Sequence, residues 1–148
     1  MLLRLRRQLA ALSLLLLAIP SVLRGQTSGA DRAEARAILA ELIGINTTHE
    51  HGSTTPAAEA VARRLRAAGL PAADVQVVGP DSTHMNLVAR LRGSGARKPI
   101  LLLAHLDVVE ALPQDWSLDP FTLTERDGYL YGRGTSDIKD EAAIFTAV

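Results

Sequence analysis

A histidine and an aspartate follow an apolar run in the segment Ile100 to Asp107. The run Ile100 to Ala104 predicts a strand that is buried on both faces, centrally placed in a sheet. Open α/β sheets bind ligands at the carboxyl ends of their strands, where His105 and Asp107 stand. Alternate residues of an extended chain point to the same side, so the Asp107 carboxylate can hydrogen-bond one ring nitrogen of His105 and leave the other for a metal. A simpler alternative stays open, in which His105 is a structural strand-end residue.

A second acidic residue, Asp137, lies between a glycine-rich turn and a predicted helix. Gly132 and Gly134 allow the backbone to bend sharply and to approach other groups closely. Asp137 is then either an ordinary helix N-cap or a carboxylate that bridges two divalent ions about 3.5 to 4 Å apart. This segment alone does not decide between the two.

Taken together, the two segments resemble the M20 family of zinc metallopeptidases, which includes aminoacylases, glutamate carboxypeptidases, desuccinylases and tripeptidases. Asp137 follows His105 by 32 residues, and residues 115 to 121 between them also match the family pattern. The resemblance implies that His105 binds one of two Zn²⁺ ions, that Asp137 bridges both, and that Asp107 is the active-site carboxylate that orients the histidine.

The resemblance extends over residues 31 to 148. Trp116 and Lys139 match the family pattern without an assigned chemical role, and Asp140 stands where the family most often has glycine. The implied reaction is hydrolysis of an amide bond in a peptide or an N-acyl amino acid by metal-activated water.

The implied fold is α/β, a layered α/β/α catalytic domain with a mixed central sheet. The paired glutamates, the remaining zinc ligands and the lid or dimerisation domain of the family would lie beyond Val148. Residues 26 to 148 are therefore expected to form the N-terminal part of the catalytic domain, inactive alone, and any homodimer would need the absent domain.

Apolar periodicity and turn residues predict the secondary structure. Helices are expected over residues 31 to 43, with Gly44 as a left-handed stop, and after Thr55 up to Gly69. Strands are expected over residues 75 to 78, 87 to 91, 121 to 124 and 129 to 131, and a last helix from Ile138.

The composition excludes several other classes of protein. The chain has 148 residues, 47% hydrophobic and 22% charged, which fits one globular domain. Without residues 1 to 25, 12 basic residues remain against 16 acidic ones, a formal net charge of −4. This charge and the 3% of aromatic residues argue against a nucleic-acid partner. The absence of cysteine excludes disulfides and lipid attachment through a thiol.

The N-terminus has the pattern of a secretory signal peptide over residues 1 to 25. A basic stretch through Arg7 precedes the apolar run Leu9 to Ile19, and Pro20 and small residues follow. The run is shorter than the roughly 20 residues of a membrane-spanning helix, so a retained anchor is the weaker alternative. The protein is expected to be exported, periplasmic or extracellular, without stable membrane insertion after cleavage.

Two rival functions belong to other classes. One is a Mg²⁺-dependent phosphoryl-transfer enzyme that uses Asp137 and Asp140, although the sequence lacks a phosphate-binding fingerprint. The other is an exported binding protein that keeps the fold without catalysis.

Export predicts that the protein isolated from its native host lacks about the first two dozen residues. Mass spectrometry of the intact protein measures this directly. A soluble cytoplasmic protein that retains Met1 would contradict the signal-peptide assignment.

Overall fold

The computed structural model describes residues 28 to 147, so the predicted signal peptide lies outside the described residues. The regular elements are α1 (Gly29–Ile43), α2 (Thr55–Ala67), β1 (Val75–Val78), β2 (Asn86–Ala89), β3 (Thr124–Arg126), β4 (Tyr129–Tyr131) and α3 (Lys139–Ala147). Short 3₁₀ turns occur at Ala72–Asp74 and Pro113–Asp115. Within residues 28 to 147, no helix is long and apolar enough to span a bilayer.

Helix α1 is the centre of the core. It begins with a capping box, in which the Ser28 hydroxyl accepts from the Asp31 backbone N–H and the Asp31 carboxylate accepts from the Ser28 N–H. Its buried face packs against α2 and α3, and the shared core contains Ile38, Leu39, Leu42, Ile43, Ala57, Val61, Ala142 and Ala143. Full burial of each large aliphatic side chain contributes roughly 1.5 to 3 kcal/mol.

The prediction for the end of α1 is wrong in one detail. Gly44 has a φ of −65°, in the right-handed region, and is therefore not a left-handed stop. The carbonyls at this helix end are bound by other groups, among them the ammonium of Lys139, so no left-handed residue is needed there. Gly69, after α2, has a φ of +100° and closes that helix as expected.

The α/β class is confirmed, and the β structure of residues 28 to 147 consists of two separate antiparallel pairs. β1 pairs with β2, with Val75 opposite Ala89, and β3 pairs with β4, with Thr124 opposite Tyr131. Asp127 and Gly128, with φ values of +53° and +79°, form the two-residue turn between β3 and β4. The expected mixed central sheet is not formed within the described residues.

The apolar run Ile100 to Ala104 departs most from the sequence prediction. Its backbone has no regular strand assignment, and the four residues before Ala104 are between 56% and 86% exposed. A central strand needs a strand on each side and a helix over each face. No strand within residues 28 to 147 pairs with this run, so the prediction that it is buried is wrong for the part of the chain described.

An ion pair joins the two ends of the β1 and β2 hairpin. The Arg92 guanidinium donates two hydrogen bonds to the Asp74 carboxylate, Nη2 to Oδ1 at 2.6 Å and Nε to Oδ2 at 2.9 Å. Hydrogen bonding from Arg92 holds the pKa of Asp74 below its usual range, because it favours the ionised carboxylate. The Asp74 side chain is almost completely buried, whereas Arg92 is largely exposed.

We expect Asp74→Asn to lower the melting temperature of the full-length protein at pH 7. Because the pKa of Asp74 is lower in the folded state, its stabilisation is complete above the unfolded value of about 3.9 and is lost as the pH falls through the folded value. The difference in melting temperature should therefore shrink progressively below about pH 4.

The matched control is Asp115→Asn, which neutralises an exposed carboxylate elsewhere. A difference between wild type and Asp74→Asn that persisted unchanged to pH 2 would contradict this assignment.

Candidate metal centre

His105 and Asp137 lie side by side, although 32 residues separate them in sequence. The Nε2 atom of His105 is 3.1 Å from Oδ1 of Asp137. His105 lies in the extended segment after the apolar run, and Asp137 in the turn that leads into α3. Both side chains face solvent, with 47% and 84% of their surface exposed, so a substrate can reach them.

The types of these two donor atoms fit a shared metal ion better than their distance does. Zinc binds histidine nitrogen and carboxylate oxygen at about 2.0 to 2.2 Å, which at a tetrahedral angle places two neighbouring donors roughly 3.3 to 3.6 Å apart, slightly farther than the 3.1 Å found here. Imidazole and carboxylate are both common ligands of divalent metals. Within residues 28 to 147, no set of three His, Asp or Glu side chains is arranged to hold an ion. Within the described residues, the pair by itself therefore does not form a metal site.

His105 is oriented chiefly by a backbone carbonyl. Its Nδ1 atom is 3.0 Å from the Asp107 carbonyl oxygen and 3.4 Å from the Asp107 carboxylate, so the carboxylate contact predicted from the sequence is the longer one. Partial burial acts to lower the pKa of His105, but the Asp107 carbonyl and the Asp137 carboxylate outweigh it and raise the pKa above its ordinary value. With Nδ1 as the donor to the carbonyl, Nε2 is the nitrogen that faces Asp137 and can bind a metal.

The glycines before Asp137 permit the close packing that the sequence predicted. A side chain at Gly132 would come within 2.8 Å of Ile43, and one at Gly134 within 2.9 Å of Val108. Gly134 also has a φ of +93°, which other residues rarely adopt. The Asp137 turn therefore lies directly against α1 and the His105 segment.

Two clefts are lined by acidic residues of this region, and His105 lines neither of them. Asp137 lines a cleft of about 240 Å³ formed by Val108, Val109 and residues 132 to 137. Asp107 lines a second cleft of about 200 Å³, whose other walls include His49, Ser53 and His84. Both are smaller than the roughly 300 to 1,000 Å³ of ligand pockets.

A family model described as "Peptidase family M20/M25/M40" matches residues 101 to 148, the part of the chain that contains His105 and Asp137. This match covers about a third of the chain, and over those residues the sequence is similar to that peptidase family.

Curated relatives match between 42 and 101 residues of the chain. A succinyl-diaminopimelate desuccinylase of Delftia acidovorans is 53% identical over 70 residues, 45% of this chain and 18% of the relative. A succinyl-diaminopimelate desuccinylase of Polynucleobacter necessarius is 44% identical over 101 residues, which are 63% of this chain and 26% of the relative. An N-fatty-acyl-amino acid synthase/hydrolase PM20D1 of Xenopus tropicalis is 60% identical over 42 residues, which are 28% of this chain and 8% of the relative. The matched segments thus span about a quarter or less of these relatives, which are much longer proteins.

Thr47 holds the His105 segment in place, a role that the sequence analysis missed. Its buried hydroxyl donates to the Leu106 carbonyl at 2.6 Å, and its own carbonyl accepts from the Val108 N–H at 3.1 Å. A parallel bridge joins Thr48 to Val108. Two consecutive β-branched residues in a polar stretch were the available signal, because such residues favour extended pairing.

Trp116 and Arg133, two members of the M20 sequence pattern, contact each other. The Arg133 guanidinium carbon lies 5.1 Å from the centre of the Trp116 ring, within the range of a cation–π interaction. Arg133 Nη2 donates to the Glu110 carbonyl at 3.2 Å. The pair therefore ties the loop after His105 to the turn before Asp137, a structural role for Trp116 that the pattern alone did not supply.

The contact between His105 and the Asp107 carbonyl predicts the effect of changing Asp107. Asp107→Asn keeps that carbonyl, so we expect zinc affinity to fall by no more than about tenfold, the lower end of the 10- to 100-fold range for residues that orient a ligand. His105→Ala should weaken binding much more, because it removes a ligand.

Competition with a chromophoric chelator measures both affinities on the full-length protein. An equal loss in the two variants would show that the Asp107 side chain is itself a ligand.

Proposed function

We propose that the protein is a zinc-dependent amidohydrolase that cleaves the amide bond of peptides or N-acyl amino acids. The observation that carries this proposal is the 3.1 Å approach of His105 Nε2 to Asp137 Oδ1 within the segment matched to the M20 family. The secretory pattern of residues 1 to 25 supports a site of action outside the cytoplasm.

The proposed substrate class rests on the names of the relatives. A desuccinylase releases a succinyl group, and the other relative is named for acting on N-fatty-acyl amino acids. Both names refer to an acyl group on an amino-acid nitrogen. A substrate with this bond can reach both side chains because they are exposed, and Asp137 also lines one of the clefts.

His105 and Asp137 have separate tasks in the proposed reaction. His105 would hold an ion through Nε2, with its ring oriented through Nδ1. Asp137 would be the carboxylate that this ion shares with a second one. A bound Zn²⁺ lowers the pKa of a coordinated water and polarises a carbonyl. Imidazole favours zinc over magnesium, which prefers oxygen ligands.

This ligand chemistry weighs against the phosphoryl-transfer rival. That enzyme would use Asp137 and Asp140 with Mg²⁺, whereas the partner of Asp137 in the structure is a histidine. The rival in which the protein only binds its ligand has no observation in its favour, and the experiment below distinguishes all three.

The test is turnover by the full-length protein on a panel of N-succinyl amino acids, N-fatty-acyl amino acids and dipeptides. We expect activity that a chelator abolishes and Zn²⁺ restores. His105→Ala should remove nearly all of it, because a ligand of the ion is lost.

The matched control is His51→Ala, which removes an exposed imidazole outside both clefts and should keep wild-type activity. Tight binding of these compounds without turnover would favour the binding-protein rival. Mg²⁺-dependent release of phosphate from phosphate esters would favour the phosphoryl-transfer rival.

A further inference from the structure

Lys139, the first residue of α3, has a completely buried side chain. Its Nζ atom donates to the Leu42 carbonyl at 2.8 Å and to the Ile45 carbonyl at 3.0 Å. Lysine is almost never fully buried unless its charge is compensated, because transfer of an ammonium out of water is costly. The burial of Lys139 therefore requires partners that compensate its charge.

The carboxyl end of α1 provides such partners. The last carbonyls of a helix have no partner within it, and the aligned peptide dipoles leave partial negative charge there. Helix α1 has no basic residue in its own last turn. Lys139 brings a cation to this end from a residue 97 positions away from Leu42 in sequence.

Lys139 is also connected to the turn that carries Asp137. Its backbone N–H donates to the Gly134 carbonyl at 3.0 Å. A side chain at Gly134 would approach the Lys139 stem to 3.1 Å and Val108 to 2.9 Å, so these three residues pack without spare room. Gly134, at the start of the Asp137 turn, therefore lies between the Lys139 stem and Val108 of the segment that carries His105.

The loop directly after α1 holds the His105 segment, through the two hydrogen bonds of Thr47 with Leu106 and Val108. Both candidate ligands are thus attached, by independent buried hydrogen bonds, to residues 42 to 47. The distance between His105 and Asp137 therefore depends on how each segment packs against residues 42 to 47.

We propose that Lys139 is a positioning residue that sets the separation of His105 from Asp137, and with it the affinity and geometry of the metal site. This inference rests on the proposed function, because it assigns Lys139 a task in the same site. Lys139 touches neither the metal nor the substrate. Metal–ligand distances lie within about 0.2 Å of their standard values, so a shift of the Asp137 turn is expected to weaken binding.

The test is zinc affinity of full-length Lys139→Met, which keeps most of the stem and removes the three donors. We expect binding to weaken by about 10- to 100-fold, the range for groups that orient a ligand. The visible absorption of the Co²⁺-substituted protein, which reports ligand geometry, should change in band position or intensity.

The matched control is Leu39→Ala, which removes a buried side chain from α1 but leaves the acceptors of Lys139 untouched. It should destabilise the fold by about 2 to 5 kcal/mol. It should leave zinc affinity and the Co²⁺ spectrum as in wild type at temperatures where the protein is folded. If Lys139→Met does not fold, Lys139→Gln, which keeps a donor on a shorter stem, replaces it with the same expected loss of affinity.

Wild-type affinity and spectrum in the Lys139 variant, with only a lower melting temperature, would overturn the positioning role and leave the proposed hydrolase intact. If the wild-type protein binds no zinc, both proposals fail together. Weakened binding and an altered spectrum in the Lys139 variant, but not in Leu39→Ala, would establish the role.

Discussion

The carbonyl end of α1 is the point on which the arrangement of this protein depends. A buried helix end needs partners for its last carbonyls, and here the Lys139 ammonium binds those of Leu42 and Ile45. The hydrogen bonds of Thr47 then attach the chain that carries His105 to the same place. Satisfying the polar groups of one helix end thus brings together segments that are far apart in sequence.

This arrangement separates reactive groups from the groups that hold them. His105 and Asp137 are exposed, as an imidazole and a carboxylate must be to meet a metal and a substrate. Thr47 and Lys139 are buried, where their hydrogen bonds compete less with water. Ligands on loops keep a defined separation only if the loops are fixed to rigid elements, and α1 with its apolar face is that element.

Local signals in the sequence were sufficient for the helices, the hairpin of β1 and β2 and the proximity of His105 to Asp137, whereas the strand predicted over residues 121 to 124 is Thr124–Arg126 in the structure. They failed where the outcome depends on distant partners. Gly44 is a common stop residue, yet a lysine nearly a hundred positions later made a left-handed ending unnecessary. The run Ile100 to Ala104 has the composition of a central strand, but pairing requires strands that residues 28 to 147 do not provide. The burial of Lys139 contradicts the ordinary preference of lysine for solvent and was visible only in the tertiary structure.

The long separation between Leu42 and Lys139 also affects the order in which the protein assembles. Helices and two-residue hairpins form from neighbouring residues, whereas this contact closes a loop of 97 residues. Domains are synthesised N-terminal first at about 5 to 20 residues per second, so His105 leaves the ribosome roughly 2 to 6 s before Asp137. During that interval the carbonyl end of α1 lacks its partner Lys139, which follows Asp137 along the chain. The pairing of His105 with Asp137 therefore waits until α3 has been synthesised and packs against α1.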